Sequence, residues 1–394
     1  MKKIVSIPNI LTLDMAYRST YLAAGTVAKT IEDHFEKHLA CARNDGEEDL
    51  APAPTAAVIE EMIDAAFWAS LRKEEGHSPK ISIAFLPPEQ AGNPLLFGHK
   101  LSFTPATLTK LAPGVEQSGI HLGVWSEGND LYIWGTTTKI PNFCFVLDVS
   151  EPGLMVVKHR RIHGFGKYTN VAVLKGDQIK IVNEASASLP DCPAILMSLL
   201  GAVAPASWND PANVLIQLAV FMRSHGRGGS VLVVPSGTDA WQESIIKPMQ
   251  YRIEPSFSGL ADLVRQDEAA VSEIFWQSAL RREAGNISGL TAVDGATIIS
   301  DKFELLAFGA KIGRAQGKAF VEQVAFTEPI IDGEGIMMHP SKIGGTRHLS
   351  AAQFVHDQPD SIALVASQDG HFTVFAWSPY NNMLHAYRID TLLL

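Results

Sequence analysis

Between residues 80 and 183 the chain repeats one pattern, a short apolar or β-branched run followed by a turn. The runs are ISIAFL, GIHLGVW, DLYIWGT, NFCFVLDV, VAVLK and QIKIV, with EGND and KGDQ among the turns. Branched and aromatic side chains pack well on a pleated surface, so runs of this kind predict strands. Short strands joined by tight turns predict an antiparallel meander. A sheet is thus the one element that the first half of the chain must accommodate.

Helices flank it. Residues 16 to 42 read as one helix, and the acidic, proline-bearing loop NDGEEDLAPAP separates it from a second, TAAVIEEMIDAAFWASLRK. In the second, Val58, Ile59, Met62, Ile63, Ala66, Phe67 and Leu71 recur at three- and four-residue intervals and mark one buried face. Thr55 is placed to cap it, its hydroxyl accepting an amide of the first turn. After the strands, a helix from Asn213 to Arg223 stops near Gly226 and leads into the strand SVLVV. KPMQYRIEPSFSG, with two prolines and no periodicity, reads as a junction. It divides the chain into an N-terminal domain, 1–256, and a C-terminal domain, 257–394. Beyond it, LADLVRQDEAAVSEIFWQSALRREAG predicts a long amphipathic helix. TIIS, LLAFGAK, IALVAS and FTVFAWS then alternate with short helices. The fold class is α/β in the broad sense, mixed α+β, with room in 394 residues for two cores.

Composition excludes several partners. The formal net charge is −10 with no basic run, which argues against a nucleic-acid partner held by its phosphates. Cys41, Cys144 and Cys192 are odd in number and scattered, which suits a reducing compartment. AILMSLLGAVAPA is too short to span a bilayer, and Pro8 and Asp14 interrupt the start, MKKIVSIPNILTLD, before a signal core could form. These features predict a soluble, cytoplasmic protein with no membrane partner.

Several clusters have plain structural explanations. His34 and His38 lie at i and i+4 and could share a metal, but their charged neighbours favour a solvated helix face. HRRIHGFGK could bind an anionic effector; a charged strand edge is the better reading. SHGRGGS joins a helix to a strand and reads first as a C-cap and turn, second as a ligand loop. GRAQGKAF has the wrong spacing for a phosphate loop, and Ala319 stands where that loop needs a hydroxyl. No nucleophile elbow is present.

Two stretches carry more. In TAVDGATIIS, Asp294 precedes Gly295 and Ala296 between strand-like runs. A carboxylate beside residues of minimal bulk can hold a divalent metal while substrate approaches the backbone; a hairpin turn is the alternative. In GGTRHLSAAQF, Gly344 and Gly345 open the backbone, Thr346 offers a hydroxyl, Arg347 a planar fork of donors and His348 a further donor. A helix start follows, whose free amides favour an anion. The alternative is a glycine turn capped by the threonine.

Taken together and in this order, these stretches resemble the diadenylate cyclase domain. That family carries a DGA motif, matched by Asp294, Gly295 and Ala296, and a GTRHR-x-A motif, matched by Gly345, Thr346, Arg347, His348 and Ala351. Its strand ending in Ser-Glu-Glu or a variant is similar to VASQDG, with Ser367, Gln368 and Asp369. The resemblance covers about the last third of the chain and implies a central mixed sheet flanked by helices. It implies an enzyme that condenses two ATP into cyclic di-AMP, a second messenger, with release of two pyrophosphates. Asp294, Gly295, Ala296, Arg347 and His348 would form the catalytic set. Gly345, Thr346, Arg347, His348, Ser350 and Ser367 would bind ATP, and Asp294, Gln368 and Asp369 would hold magnesium or manganese. Because each 3′-hydroxyl must attack the other ATP, catalysis would need a homodimer. Leu349 stands where the family usually has a second arginine, and Gln368 where many members have glutamate. The first two thirds resemble, more weakly, the sensor regions attached to some of these cyclases, where a small-molecule effector is expected. The alternative function is a module that senses ATP or a dinucleotide without turnover.

Overall fold

The computed structural model describes residues 19–128, 130–162, 168–201, 210–266, 272–333 and 335–394. They form two compact units, Met1–Met155 with Leu174–Ile179, and Val156–Val173 with Lys180–Leu394. The architecture is mixed α/β, with two mixed sheets. Among the described residues no helix is long and apolar enough to cross a membrane.

The first unit opens with α1 (Leu22–Asn44) and α2 (Ala56–Ser70), followed by β1 (Ile81–Phe85), β2 (Leu95–Ser102), α3 (Pro105–Leu111), β3 (His121–Glu127), β4 (Asp130–Thr137) and β5 (Phe145–Glu151). Thr55 caps α2, its hydroxyl accepting from the Val58 amide at 3.4 Å. Ile59, Met62, Ile63 and Ala66 are buried as their spacing predicts, whereas Leu71, just past the end of the helix, is exposed. Asp64 accepts from the amides of Thr20 and Tyr21 at 2.8 and 2.6 Å and so ties α2 to the start of α1. The strands are not a plain meander. They run in the order β2-β4-β3-β1-β5, with β1 parallel to β3 and antiparallel to β5. The connection from β1 to β3 passes through β2, an edge strand whose side chains are mostly exposed and whose sequence therefore lacks the alternation that marks a strand.

The chain then runs through β6 (Leu154–Arg160), β7 (Tyr168–Lys175) and β8 (Gln178–Ile181). Of HRRIHGFGK, residues 163–167 lie outside the described residues, as do the start of the chain up to residue 18 and the end of AILMSLLGAVAPA.

The second unit continues with α4 (Ala194–Leu199), α5 (Pro211–Ser224), β9 (Gly229–Val234), β10 (Tyr251–Phe257), α6 (Gly259–Val264), α7 (Glu273–Leu290), β11 (Ala296–Ser300), β12 (Leu305–Ala310), β13 (Val324–Thr327), β14 (Ile336–Met338), α8 (Thr346–Asp357), β15 (Ile362–Ala366), β16 (Phe372–Ser378) and β17 (Met383–Arg388). Its sheet has the order β10-β12-β11-β9-β15-β16-β17-β13-β14. β9 lies inside it and alternates. Val231 and Val233 join a core with α4, α5, α6 and α7. Leu232 and Val234 join a second core with Ala351, Ala352, Phe354 and Val355 of α8. The sheet is thus covered on both faces, as strands buried on both sides require.

Two expectations are corrected here. KPMQYRIEPSFSG is not a linker: its second half forms β10, which pairs with β12 at Tyr251↔Phe308 and Arg252↔Ala307. The division expected between 256 and 257 therefore falls inside one sheet; β10 is an exposed edge strand, so burial writes no alternating pattern into it. The long helix expected from Leu260 is two helices, α6 and α7, with residues 267–271 outside the described residues. The Trp276 indole of α7 donates to the Leu263 carbonyl of α6 at 3.0 Å and holds the second helix against the first.

Candidate functional site

Three neighbouring strands fix the site. β9 is parallel to β11 and antiparallel to β15, and the register sets Ser230 opposite both Ala296 and Val365, with Gly229 opposite Ala366. The starts of β9 and β11 and the end of β15 therefore coincide. Gly295–Ala296 and Ala366–Ser367 emerge side by side although they are distant in sequence. α8 lies on this sheet through its buried face and begins at the same end.

A cavity of about 600 Å³ opens there. Its lining includes Asp294, Gly295 and Ala296, Gly345 through His348, Ser350, and Ser367 through Asp369. The two motifs and the serine-ended strand thus meet in one place, although Gly344 and Ala351 are not among the lining residues and Ala351 is buried in the core beneath α8. Asp294–Gly295 is not a hairpin turn; it closes the loop that leads from α7 into β11.

Asp294 presents an exposed carboxylate, paired with the Lys311 ammonium. That hydrogen bond and charge, with a smaller contribution from Arg347, hold the Asp294 carboxyl below the usual carboxylate range. Gly345 is the N-cap of α8 and offers no side chain. The first helical bonds come from the His348 and Leu349 amides to the Gly345 carbonyl, at 3.0 and 3.3 Å. The Thr346 and Arg347 amides precede those bonds, so the positive end of the helix faces the cavity uncapped.

His348 differs from its expected part as a donor to phosphate. It is 2% exposed, its ring 6.2 Å from that of Phe375, and burial, followed by the charges of Arg388 and His371, pushes its pKa down to about 4. It is a neutral, buried imidazole beneath Gly344, where a Cβ would collide with the ring. Its Nε2 has no hydrogen-bond partner among the described residues. Ser367 shapes a turn, accepting from the His371 amide at 3.1 Å. The Gln368 amide donates to the Arg227 carbonyl at 3.4 Å, which draws the SHGRGGS loop to the edge of the site. Leu349 is absent from the cavity lining; it packs on the core beneath α8.

The donor set suits a hard divalent cation. Magnesium takes one or two carboxylates together with substrate phosphates, and Asp294 offers an accessible one, with Gln368 and the exposed Asp369 also lining the cavity. Sequence reasoning missed Lys311, Ser230, Ile246 and Ile312, which also line the cavity. Ser230 lies within β9 and the other three just off a strand end or in a loop, where no motif marks them. In the first unit His34 and His38 do share a face of α1, with ring centroids 4.4 Å apart, and they are half-buried rather than solvated.

Residues 48–138 match the family model of a probable sensor domain, DACNV, the kind of N-terminal domain found with diadenylate cyclase domains. The match lies wholly within the first unit. No curated protein matches the chain.

Proposed function

We propose that this chain is a diadenylate cyclase, condensing two ATP into cyclic di-AMP and two pyrophosphates under the control of its sensor domain. The observation that carries this reading is that the DGA, GTRH and SQD residues line one cavity, which holds a carboxylate, a guanidinium and an open helix start. In each of two steps, a 3′-hydroxyl oxygen bonds to the α-phosphorus of the other ATP. The α–β anhydride bond breaks, pyrophosphate leaves with that electron pair, and the hydroxyl proton is lost. Arg347, the Thr346 hydroxyl and the free amides of α8 hold the triphosphate and offset the charge growing on the leaving pyrophosphate. Ile246 and Ile312 supply apolar wall suited to a purine face. Asp294, with Gln368 and Asp369 lining the same cavity, is the seat for magnesium or manganese. When bound, the ion polarises the α-phosphate and acidifies the attacking hydroxyl. One cavity presents one ATP, so two copies of the chain must face each other across a two-fold axis.

Incubation of the full chain with ATP and magnesium or manganese, with mass spectrometry of the products, tests this. Cyclic di-AMP from the wild type and none from Asp294→Asn is the expected result. Tight ATP binding without product, with either metal, overturns turnover and supports the second reading, a sensor of ATP or a dinucleotide. One observation favours that second reading. Gln368 stands where many members of the family have glutamate, and its side-chain amide, already bonded to the Arg227 carbonyl, brings no charge to a metal.

A further inference from the structure

We propose that Lys311 is a further phosphate-binding residue of this site, parked on Asp294 until a divalent cation takes that carboxylate. The inference rests on the nucleotide reading above and adds to it a residue that no motif marks.

Lys311 directly follows β12, and its backbone is pinned: the Ile246 amide donates to the Lys311 carbonyl at 2.8 Å. Its side chain is free to move, being 52% exposed, and the Asp294 side chain opposite is 89% exposed. Both residues line the cavity together with Thr346 and Arg347. An ammonium is a compact charge on a flexible stem, able to change partners without disturbing the backbone that carries it.

The carboxylate cannot serve both cations at once. A divalent ion that coordinates Asp294 takes the oxygens that Lys311 uses, and the two like charges then repel at close range. The displaced ammonium then meets the most highly charged anion proposed for the same cavity, the triphosphate held at Arg347 and the start of α8. Lys311 thus stands in for the metal before substrate arrives and adds a second cation to the triphosphate afterwards. The exchange makes metal and nucleotide favour each other, because metal binding frees a phosphate ligand.

Two measurements on the full chain separate this from a merely structural ion pair. Manganese binding without nucleotide is read from the electron paramagnetic resonance of the free ion, and ATP binding in the presence of manganese by calorimetry. Lys311→Met is expected to bind manganese several-fold more tightly, since the competing cation is gone. It is expected to bind ATP about tenfold more weakly, the loss of one charge-assisted contact. Lys311→Arg is expected to keep ATP affinity near that of the wild type, and Asp294→Asn to lose the manganese site. Thermal melting checks that each variant is folded, which the exposure of the pair leads us to expect. Manganese affinity that is unchanged or weaker in Lys311→Met overturns the proposal, as does a manganese site that survives Asp294→Asn. ATP affinity equal in the wild type and Lys311→Met overturns the role of Lys311 alone. A wild type that binds manganese but no ATP overturns the nucleotide reading, and the phosphate role of Lys311 with it.

Discussion

Gly295 lies so close to the backbone of Gly309 that a Cβ on Gly295 would collide with the Gly309 carbonyl. Its φ of +119° is one that side chains rarely adopt. The glycine of the DGA motif is therefore set by packing between the start of β11 and the end of β12, and it decides where Asp294 leaves the sheet. Gly295→Ala is expected to destabilise the second unit by at least about 2 kcal/mol. A urea titration followed by circular dichroism reads this as a lower midpoint; an unchanged midpoint would show that the loop relaxes freely.

Arg347 is backed by another glycine. A Cβ on Gly228 would lie 3.2 Å from the Arg347 guanidinium and 3.2 Å from the Ala366 carbonyl. The guanidinium rests on the bare backbone of the SHGRGGS loop at the cavity lining. Arg347→Ala is expected to weaken ATP binding by about 1.5–3 kcal/mol, the range for a hydrogen bond to a charged group. Calorimetry at constant metal concentration measures it, and an unchanged affinity would remove Arg347 from the proposed clamp.

The motif residues were legible in the sequence because each has a local reason to be what it is. Gly345 opens a helix, Asp294 precedes a residue that must be glycine, and Ser367 closes a turn. Their meeting place was legible only through a resemblance, since strand register creates it and register is a long-range property. Lys311 left no trace for the same reason: it follows a strand as any solvent-facing lysine does, and only the β11–β12 pairing brings it to Asp294. β2 and β10 were missed because edge strands have exposed side chains on both faces, which removes the alternation that burial imposes. The helix read from Asn213 to Arg223 is present as α5, Pro211–Ser224, where an Asp210 cap and the turn at Gly226 mark both ends locally.

His348 predicts an acid sensitivity. Its pKa lies near 4 in the folded chain, below an ordinary value of 6.5. As the pH falls below about 6.5, the unfolded chain takes up a proton that the folded chain refuses, so stability declines until the folded group titrates as well, near 4. The decline from this residue is on the order of 2–3 kcal/mol. Denaturant midpoints of the wild type and His348→Leu across that range should diverge, with the flatter profile in the variant. Parallel profiles would mean that the imidazole is protonated in the folded state.

In the first unit the sign is reversed. Burial on α2, followed by the Asp130 carboxylate, pushes the Glu61 pKa up to about 7. The unfolded chain releases this proton near its ordinary value of 4.5, so stability is greatest below that pH and falls as the pH rises through 7. Solvent access to a half-buried group reduces the effect to about 1 kcal/mol. Glu61→Gln should therefore raise the melting temperature at pH 8 and leave it unchanged at pH 4. A gain of equal size at both would point to packing rather than charge.

Among the departures from the diadenylate cyclase motif that the chain resembles, Leu349 most invites reversal, and on the proposed reading reversing it gains nothing in ATP binding. The cavity wall takes Thr346, Arg347, His348 and Ser350 from the first turns of α8, while Leu349 between them packs on the core formed with Leu232, Val365 and Phe375. An arginine here would give up that apolar contact and lead its stem out along the helix surface, at a cost of about 1–2 kcal/mol in stability. Its charge would stand off the triphosphate of its own protomer. Leu349→Arg is expected to leave ATP affinity within about twofold of the wild type, less than one charge-assisted contact provides. Calorimetry decides the matter. A tenfold gain would place position 349 on the nucleotide and make its loss, rather than Gln368, the reason for any weak turnover.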